Sequence, residues 1–487
     1  MNLLYRRRSV MINNDKKINK SEPIPFILFW QAIIIVIGAF TSMLSSTMLN
    51  AALPSIAESL HTSSSIAQWI STGYFLSLAA GVPLSAWLSR KLGPTKLWLT
   101  SLVLFSFFSI LCAESKVIYM LIICRVLQGL SGGLLVPAGQ IVMSMAAGKK
   151  RLGRVVSIVG IAVVLAPTIG TTLSNAILSK LDWTWLFWIN LPLCFAAFFM
   201  GLKRLPKIKL DEAGKFDWIG FLLITIGLPV LIYGITSIGK TTSISSTNTL
   251  ILIIIGIVFL IGFIIRSLSL DKPILQIRLF GNGIFAVAVG VMFLGGAINF
   301  GAQVLLPHYL TDARGMNLLT TSILILSQVI GTAIGFPLAG WFTDKHGAGR
   351  VIFAGCTILT LSTLFFASFS INTGMPLVIF AFFVWGLGSA MTTVPAMTAG
   401  LTTVTPDQTA DSAPILNMLQ RTGASIGTAT ITLLYTRHLS GNLSQVYALN
   451  TFKKVIWFQL GSVILLLILS LFLVLKEIKN SRKNTDL

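Results

Sequence analysis

The chain reads as fourteen apolar stretches separated by short polar ones. Each stretch supplies close to the about 20 residues that a helix needs to cross the hydrocarbon core of a bilayer. Spans are expected at residues 26–52, 67–89, 97–113, 118–145, 155–178, 185–201 and 216–238. The other seven are expected at 249–268, 284–310, 320–343, 351–371, 376–403, 414–436 and 455–475. The basic residues test this layout. With both ends on one side, 27 of the 36 Lys and Arg fall on that side, counting Arg266 at the inner end of its span, and seven on the other, while Arg125 and Arg421 stay inside spans. Basic loops remain cytoplasmic. Both termini are therefore expected in the cytoplasm, and the chain in the plasma (inner) membrane.

Composition agrees with the pattern. Of 487 residues, 54% are hydrophobic and only 10% charged, against roughly 25% charged in a soluble domain. Lipid, by contrast, asks for no polar coat. The net charge of +21 sits in short clusters between apolar runs and forms no basic stripe, so no nucleic-acid partner is expected. Cys112, Cys124, Cys194 and Cys356 lie inside apolar segments at no metal-ligand spacing and read as small hydrophobes. Arg6, Arg7 and Arg8 open a polar leader in which Met11 offers a second start. The apolar run that follows is too long for a signal-peptide core and is expected to be the first span.

The sequence repeats across its middle. Gly81-Val-Pro-Leu-Ser-Ala-Trp-Leu-Ser-Arg-Lys-Leu-Gly93 matches Gly335-Phe-Pro-Leu-Ala-Gly-Trp-Phe-Thr-Asp-Lys-His-Gly347 at six of 13 positions, with a constant offset of 254. A fainter echo joins Gly129-Leu130…Pro137 to Gly386-Leu387…Pro395. A parallel repeat of six-span bundles puts a substrate cavity between the halves, near the midplane. The expected organisation is a leader at 1–25, an N-terminal bundle at 26–204, two inserted helices at 205–278, a C-terminal bundle at 279–475 and a tail at 476–487.

Several motifs together resemble the major facilitator superfamily, in particular its fourteen-span drug/proton antiporters of the EmrB/QacA type. They are Leu44-Ser-Ser-Thr-Met-Leu-Asn-Ala-Ala-Leu-Pro54 in span one and Arg125-Val-Leu-Gln-Gly-Leu-Ser-Gly-Gly133 in span four. Leu165-Ala-Pro-Thr-Ile-Gly170 in span five and Trp183-Thr-Trp-Leu-Phe-Trp-Ile-Asn-Leu-Pro192 at span six complete the set. The resemblance implies an all-α polytopic membrane protein of the major facilitator fold, with two six-helix bundles plus two extra helices. It further implies proton coupling through Arg125, with Gln128 on nearly the same face, and a cavity seal at the bend around Pro167 and Gly170. Cytoplasmic gating turns are implied at Arg90, Lys91 and Gly93 and at Asp344, Lys345 and Gly347. Each motif also has a plainer reading: Arg125 as a hydrogen-bond anchor, Pro167 as a packing kink, and Lys91 and Lys345 as positive-inside anchors.

Two departures from the family pattern bear on function. Ser45 stands where relatives usually carry a membrane-embedded Asp, and no acidic residue lies near the centre of any expected span. Arg90 stands where the first gating turn usually has an Asp, which removes the usual acid from that half. A proton carrier has to be sought elsewhere, and His308 and Asp312, four apart near the outer end of span nine, are the candidates. Cavity candidates are Ser45, Asn50, Asn299, Gln303, Asn417 and Arg421, whose i, i+4 pairs stack on one helix face. The two intramembrane guanidiniums make that cavity neutral to positive.

These observations favour secondary active export of small amphipathic molecules by proton antiport with alternating access. Export of one endogenous metabolite or siderophore, and a proton-independent facilitator, are the alternatives. A periplasmic adaptor and an outer-membrane channel are partners that the resemblance suggests. No Ser/His/Asp set, metal-spaced cluster or phosphate-binding loop is present, so neither an enzyme, a cofactor nor a bound metal is expected.

Overall fold

The computed structural model describes residues 23–210, 213–238, 247–439 and 444–485. The expected leader with Met11, the loop residue Lys240 and the last two residues of the tail lie outside the described residues. Each of the fourteen expected spans coincides with a helix. They are α1 Phe26–Ser59, α2 Ser64–Leu92, α3 Pro94–Ala113, α4 Ile118–Ala147, α5 Leu152–Leu178 and α6 Trp185–Arg204, the last interrupted at Ile189. The inserted pair is α7 Trp218–Ile238 and α8 Thr247–Ser269. The second half has α9 Gly283–His308, α10 Leu318–His346, α11 Ala348–Ala367, α12 Met375–Thr402, α13 Thr409–Leu439 and α14 Gln445–Thr485.

Among the described residues, eleven of these helices are apolar and long enough to cross a bilayer by composition alone. A twelfth, α5, bends by 42° between Leu152–Pro167 and Thr172–Leu178. Pro167 supplies the cause, because its ring displaces the preceding turn and removes a donor. The other two, α2 and α13, are long enough but more polar. They pack against each other at the junction of the halves, where protein rather than lipid faces their Ser, Thr and Asn side chains.

The halves are built alike. In the first, α1 packs on α5, α2 on α4 and α3 on α4; in the second, α9 packs on α13, α10 on α12 and α11 on α12. Without a hydrophobic drive between helices in lipid, close approach of small residues holds such pairs together. A Cβ added at Gly423 or Gly427 of α13 would collide with the backbone carbonyls of Phe293 and Ala297 on α9. The repeated turns also end alike. Gly93 closes α2 at φ +84° and Gly347 closes α10 at φ +88°, their N–H groups donating to Ser89 O and Thr343 O. Side chains rarely adopt that backbone conformation, which explains the glycine that ends both copies of the motif.

The inserted pair lies at the periphery. The apolar windows of α7 and α8 are only 22% and 17% buried, against 61% in α4 and α12, so most of their surface faces lipid. The pair docks through α7 onto α2 and α13 and is tied internally by Arg266 Nε donating to Asp217 Oδ1 at 2.7 Å. Trp87 of α2 fixes the linker, its Nε1 donating to Gly214 O at 2.9 Å.

Candidate functional site

Arg125 occupies the middle of the first half with no exposed surface. Its Nη1 donates to Ser45 Oγ at 3.1 Å and to Gln128 Oε1 at 2.7 Å, and its Nη2 reaches Ser45 O at 3.5 Å. The guanidinium lies over the Tyr74 ring, 3.9 Å from its centroid, with Phe187 at 5.8 Å. Three expected residues, Arg125, Gln128 and Ser45, thus meet in one network. The charge is held by neutral oxygens and π faces, not by a carboxylate. Tyr74 was not legible as a member. It is one of four aromatics in its helix, with Trp69, Phe75 and Trp87, and only the α2–α4 contact puts its ring under the guanidinium. Its hydroxyl donates to Ser42 O at 2.9 Å.

The cavity candidates of the second half divide. Arg421 on α13 lies deep in the bundle and is near enough to Tyr74 of the other half to interact with it electrostatically. Among the described residues its guanidinium has no hydrogen-bond partner, and only its backbone carbonyl is engaged, by Ser425 Oγ donating at 3.1 Å. Asn299 on α9 is half-buried, and its Oδ1 accepts no hydrogen bond. Gln303 and Asn50 are exposed, and Asn50 accepts a hydrogen bond from Ser71 Oγ at 2.9 Å. Asn417 is used differently: its Nδ2 donates across the halves to Gln140 Oε1 and within α13 to Ala413 O. Asn417 therefore joins the seal between the halves.

His308 and Asp312 are brought together as their spacing predicts. His308 Nδ1 is 2.9 Å from Asp312 Oδ2. The helix passes here into a π-helical turn, Tyr309–Ala313, a rare geometry frequent at functional sites. Tyr435 of α13, which sequence reasoning missed, donates to Asp312 Oδ2 at 3.0 Å and stacks on the His308 ring at 4.3 Å. Thr311 Oγ1 donates to Asp312 Oδ1 at 2.6 Å.

The halves are fastened at the expected cytoplasmic end by two ion pairs. Arg90, at the end of α2, pairs with Asp411 in the first turn of α13. Asp344, at the end of α10, accepts from Arg154 Nε at 2.7 Å and from Gly153 N at 2.8 Å, in the first turn of α5. Positions 90 and 344 are equivalent in the 254-residue repeat, and 154 and 411 are equivalent at the offset of 257 that relates Gly129 to Gly386. The two latches are thus the same contact made twice, with the charges exchanged. Arg90 in place of the usual acid leaves the first turn with a partner after all, because the acid stands on the opposite half. Sequence reasoning singled out neither Asp411 nor Arg154; the offset between the repeats is the signal that finds both.

The rest of the two repeated turns follows the same symmetry. Lys91 Nζ lies 4.5 Å from the Trp87 ring centroid and Lys345 Nζ 4.8 Å from that of Trp341, so both lysines cap an interfacial aromatic. Nearby, a Cβ on Gly160 of α5 would run into the Phe336 ring of α10 at 2.5 Å, and Gly340 backs onto Gly153. On the other arm of α5, Gly170 packs against Thr47 and Leu44 of α1; Pro167 itself is exposed. A cleft of about 510 Å³ opens beside the latch, lined by Trp87, Arg90, Lys272, Gln276 and Asp407 among others. It belongs to the sealed end and is separate from the layer of Arg125 and Arg421. Asp411 lies just outside the expected span 414–436 and is fully buried. Burial pushes its carboxyl up to about 6, against the lowering effect of Arg90.

A helical bundle duplicated in sequence and in packing, with charged turns fastening its halves at one end and arginines deep among its apolar helices, defines a polytopic membrane transporter. The chain belongs to the Major Facilitator Superfamily, whose family model matches residues 35–428 and again 300–485. It is 29% identical over 423 residues to the multidrug resistance protein B homolog of Mycobacterium tuberculosis (strain CDC 1551 / Oshkosh), covering 86% of this chain and 78% of that one. It is 27% identical to the multidrug export protein EmrB of Escherichia coli (strain K12), covering 84% and 80%. The lincomycin resistance protein LmrB of Listeria monocytogenes is also 27% identical, covering 84% and 86%. Among solved structures, the human organic anion transporter MFSD10 superposes with a TM-score of 0.63 at 13% identity, covering 92% of this chain and 100% of that one. The proton:xylose symporter XylE superposes at 0.56 with 12% identity, covering 90% and 95%. These two likenesses concern the fold. The chain is a transporter and not an enzyme.

Proposed function

We propose that this protein exports small amphipathic molecules, drugs and other toxic compounds among them, by proton antiport with alternating access. The names of its relatives, which include multidrug export and lincomycin resistance proteins, support the substrate class. The observation that carries the transport cycle is the exchanged pair of latches, Arg90–Asp411 and Asp344–Arg154. Contacts of this kind hold one end of the bundle shut and can be traded for a closure at the other end as the halves rock. The basic loops argue that the shut end is cytoplasmic, in the inner membrane, with both termini on that side. In a cell with two membranes, release at the far face calls for a periplasmic adaptor and an outer-membrane channel, and affinity capture from such a membrane tests that.

Proton coupling rests on two clusters. Arg125, Gln128 and Ser45 form a polar centre whose arginine stays charged, and His308, Asp312 and Tyr435 form a titratable group toward the outer end. His308 and Asp312, hydrogen-bonded to each other and to Tyr435, are the proton carrier in this reading. A second reading is favoured by one specific feature: the hydroxyl of Ser45 where a carboxylate is expected makes a proton-independent facilitator.

One experiment separates them. Purified protein in proteoliposomes is given an imposed pH gradient and a panel of cationic, neutral and anionic compounds. Gradient-driven efflux that disappears in Arg125→Ala supports antiport. Downhill flux indifferent to the gradient selects the facilitator, and no flux of any compound refutes export.

A further inference from the structure

Arg421 is an intramembrane charge that the described residues leave unspent. The two latches neutralise Arg90 and Arg154, Arg266 is paired with Asp217, and Arg125 is enclosed by three oxygen contacts and two rings. Arg421 has none of these. Among the described residues no oxygen accepts from its guanidinium, although a charged side chain within a span is costly even on the mildest scales. The cost persists only where something compensates it for part of the cycle.

The surroundings indicate what that is. Arg421 is near enough to Tyr74 of the other half to interact with it electrostatically, which puts its planar fork of five donors by the junction of the bundles. Asn417, one turn nearer the cytoplasmic end, belongs to the cross-half seal through Gln140, so Arg421 stands immediately above the closed floor. On the adjoining helix, Gly296 abuts the backbone of Gln420 and Ala424. Asn299 follows one turn later with an unpaired Oδ1. No carboxylate of the expected span centres competes for the guanidinium, because the described acids sit toward the ends.

We propose that Arg421 is a substrate subsite that takes the anionic head, a carboxylate, sulfonate or phosphate, of an amphipathic molecule. This rests on the export reading and names its substrate class. The head meets Arg421 on the floor of the layer, and the apolar tail lies against the walls of α9 and α13.

The test uses three fluorescent probes with a common dansyl group: dansylglycine as the carboxylate, its methyl ester as the neutral control and dansylcadaverine as the cation. Binding is measured on the full chain in lipid nanodiscs and flux in proteoliposomes. Dansylglycine should bind at least tenfold more tightly than the ester. Arg421→Ala should erase that preference, and Arg421→Lys should keep part of it. Equal binding of acid and ester to the wild type, tightest binding of the cation, or an unchanged preference in Arg421→Ala would each overturn the proposal. Should Arg421→Ala fail to fold, judged by its thermal midpoint, the wild-type preference and the lysine variant decide. Carboxylate binding without flux of any probe would sink the export reading and leave the subsite standing. Flux of neutral and cationic probes alone would do the reverse.

Discussion

Replacing Arg90 by alanine strands a carboxylate that has no route to water. The Asp411 side chain is 0% exposed and that of Arg90 12%, and Arg90 also lines an open cleft. The two halves of one ion pair are therefore unequal in what their loss exposes. Without its partner Asp411 must take a proton or leave the closed state. Protonating a carboxyl whose ordinary pKa is 3.8 costs about 1.36 kcal/mol for each unit of pH above it. The penalty on the closed end is then at most about 4 kcal/mol at pH 7 and about 2 kcal/mol at pH 5.5. Asp411→Ala leaves an arginine that can be hydrated in the cleft, for about 1 kcal/mol or less.

The readout is alkylation of a cysteine placed at Ser157, which is 2% exposed and backs onto Gly340 across the seam. The four native cysteines are replaced beforehand. Arg90→Ala should speed labelling by up to roughly a thousandfold at pH 7 and by roughly fiftyfold at pH 5.5, whereas Asp411→Ala should change it less than about tenfold. The double alanine variant should label more slowly than Arg90→Ala, since removing both charges strands neither. In the wild type the sign is the same. A carboxyl raised to about 6 from 3.8 stabilises the closed end fully below 3.8, and that contribution is lost as pH rises through 6. Equal labelling of the two single variants, or acid making Arg90→Ala worse, would refute the reasoning.

Three further outcomes are expected. Ser45→Asp places a carboxylate where Ser45 Oγ now lies 3.1 Å from Arg125 Nη1; the pair should raise the thermal midpoint and shift the flux panel toward cations, and a lowered midpoint would count against the geometry. His308→Gln and Asp312→Asn should flatten the pH dependence of gradient-driven efflux while leaving downhill exchange intact, and an unchanged pH profile would remove the cluster as proton carrier. Gly347→Ala, at φ +88°, should lower the stability of the folded chain by about 1–3 kcal/mol in a denaturation midpoint, whereas Gly281→Ala, where an added Cβ meets nothing, should stay within about 0.5 kcal/mol.

Much of this protein was written in the order of its residues. Span number, the two-fold repeat and the turn glycines follow from local rules: apolar length against bilayer thickness, and backbone conformations that only glycine tolerates. The pairing of His308 with Asp312 and of Arg125 with Gln128 is equally local, because residues three or four apart on a helix are neighbours by geometry. Other features required the halves to meet. The partners of Arg90, Asp344 and Asn417 are 321, 190 and 277 residues away, and no helical period spans such distances. Tyr74 under Arg125 and Tyr435 on His308 depend on which face each helix turns inward. Packing decided that in the folded bundle, through the close approach of α2 to α4 and of α9 to α13. Arg421 shows the same division: its charge was plain in the sequence, and its lack of a hydrogen-bond partner among the described residues became visible only in the folded bundle.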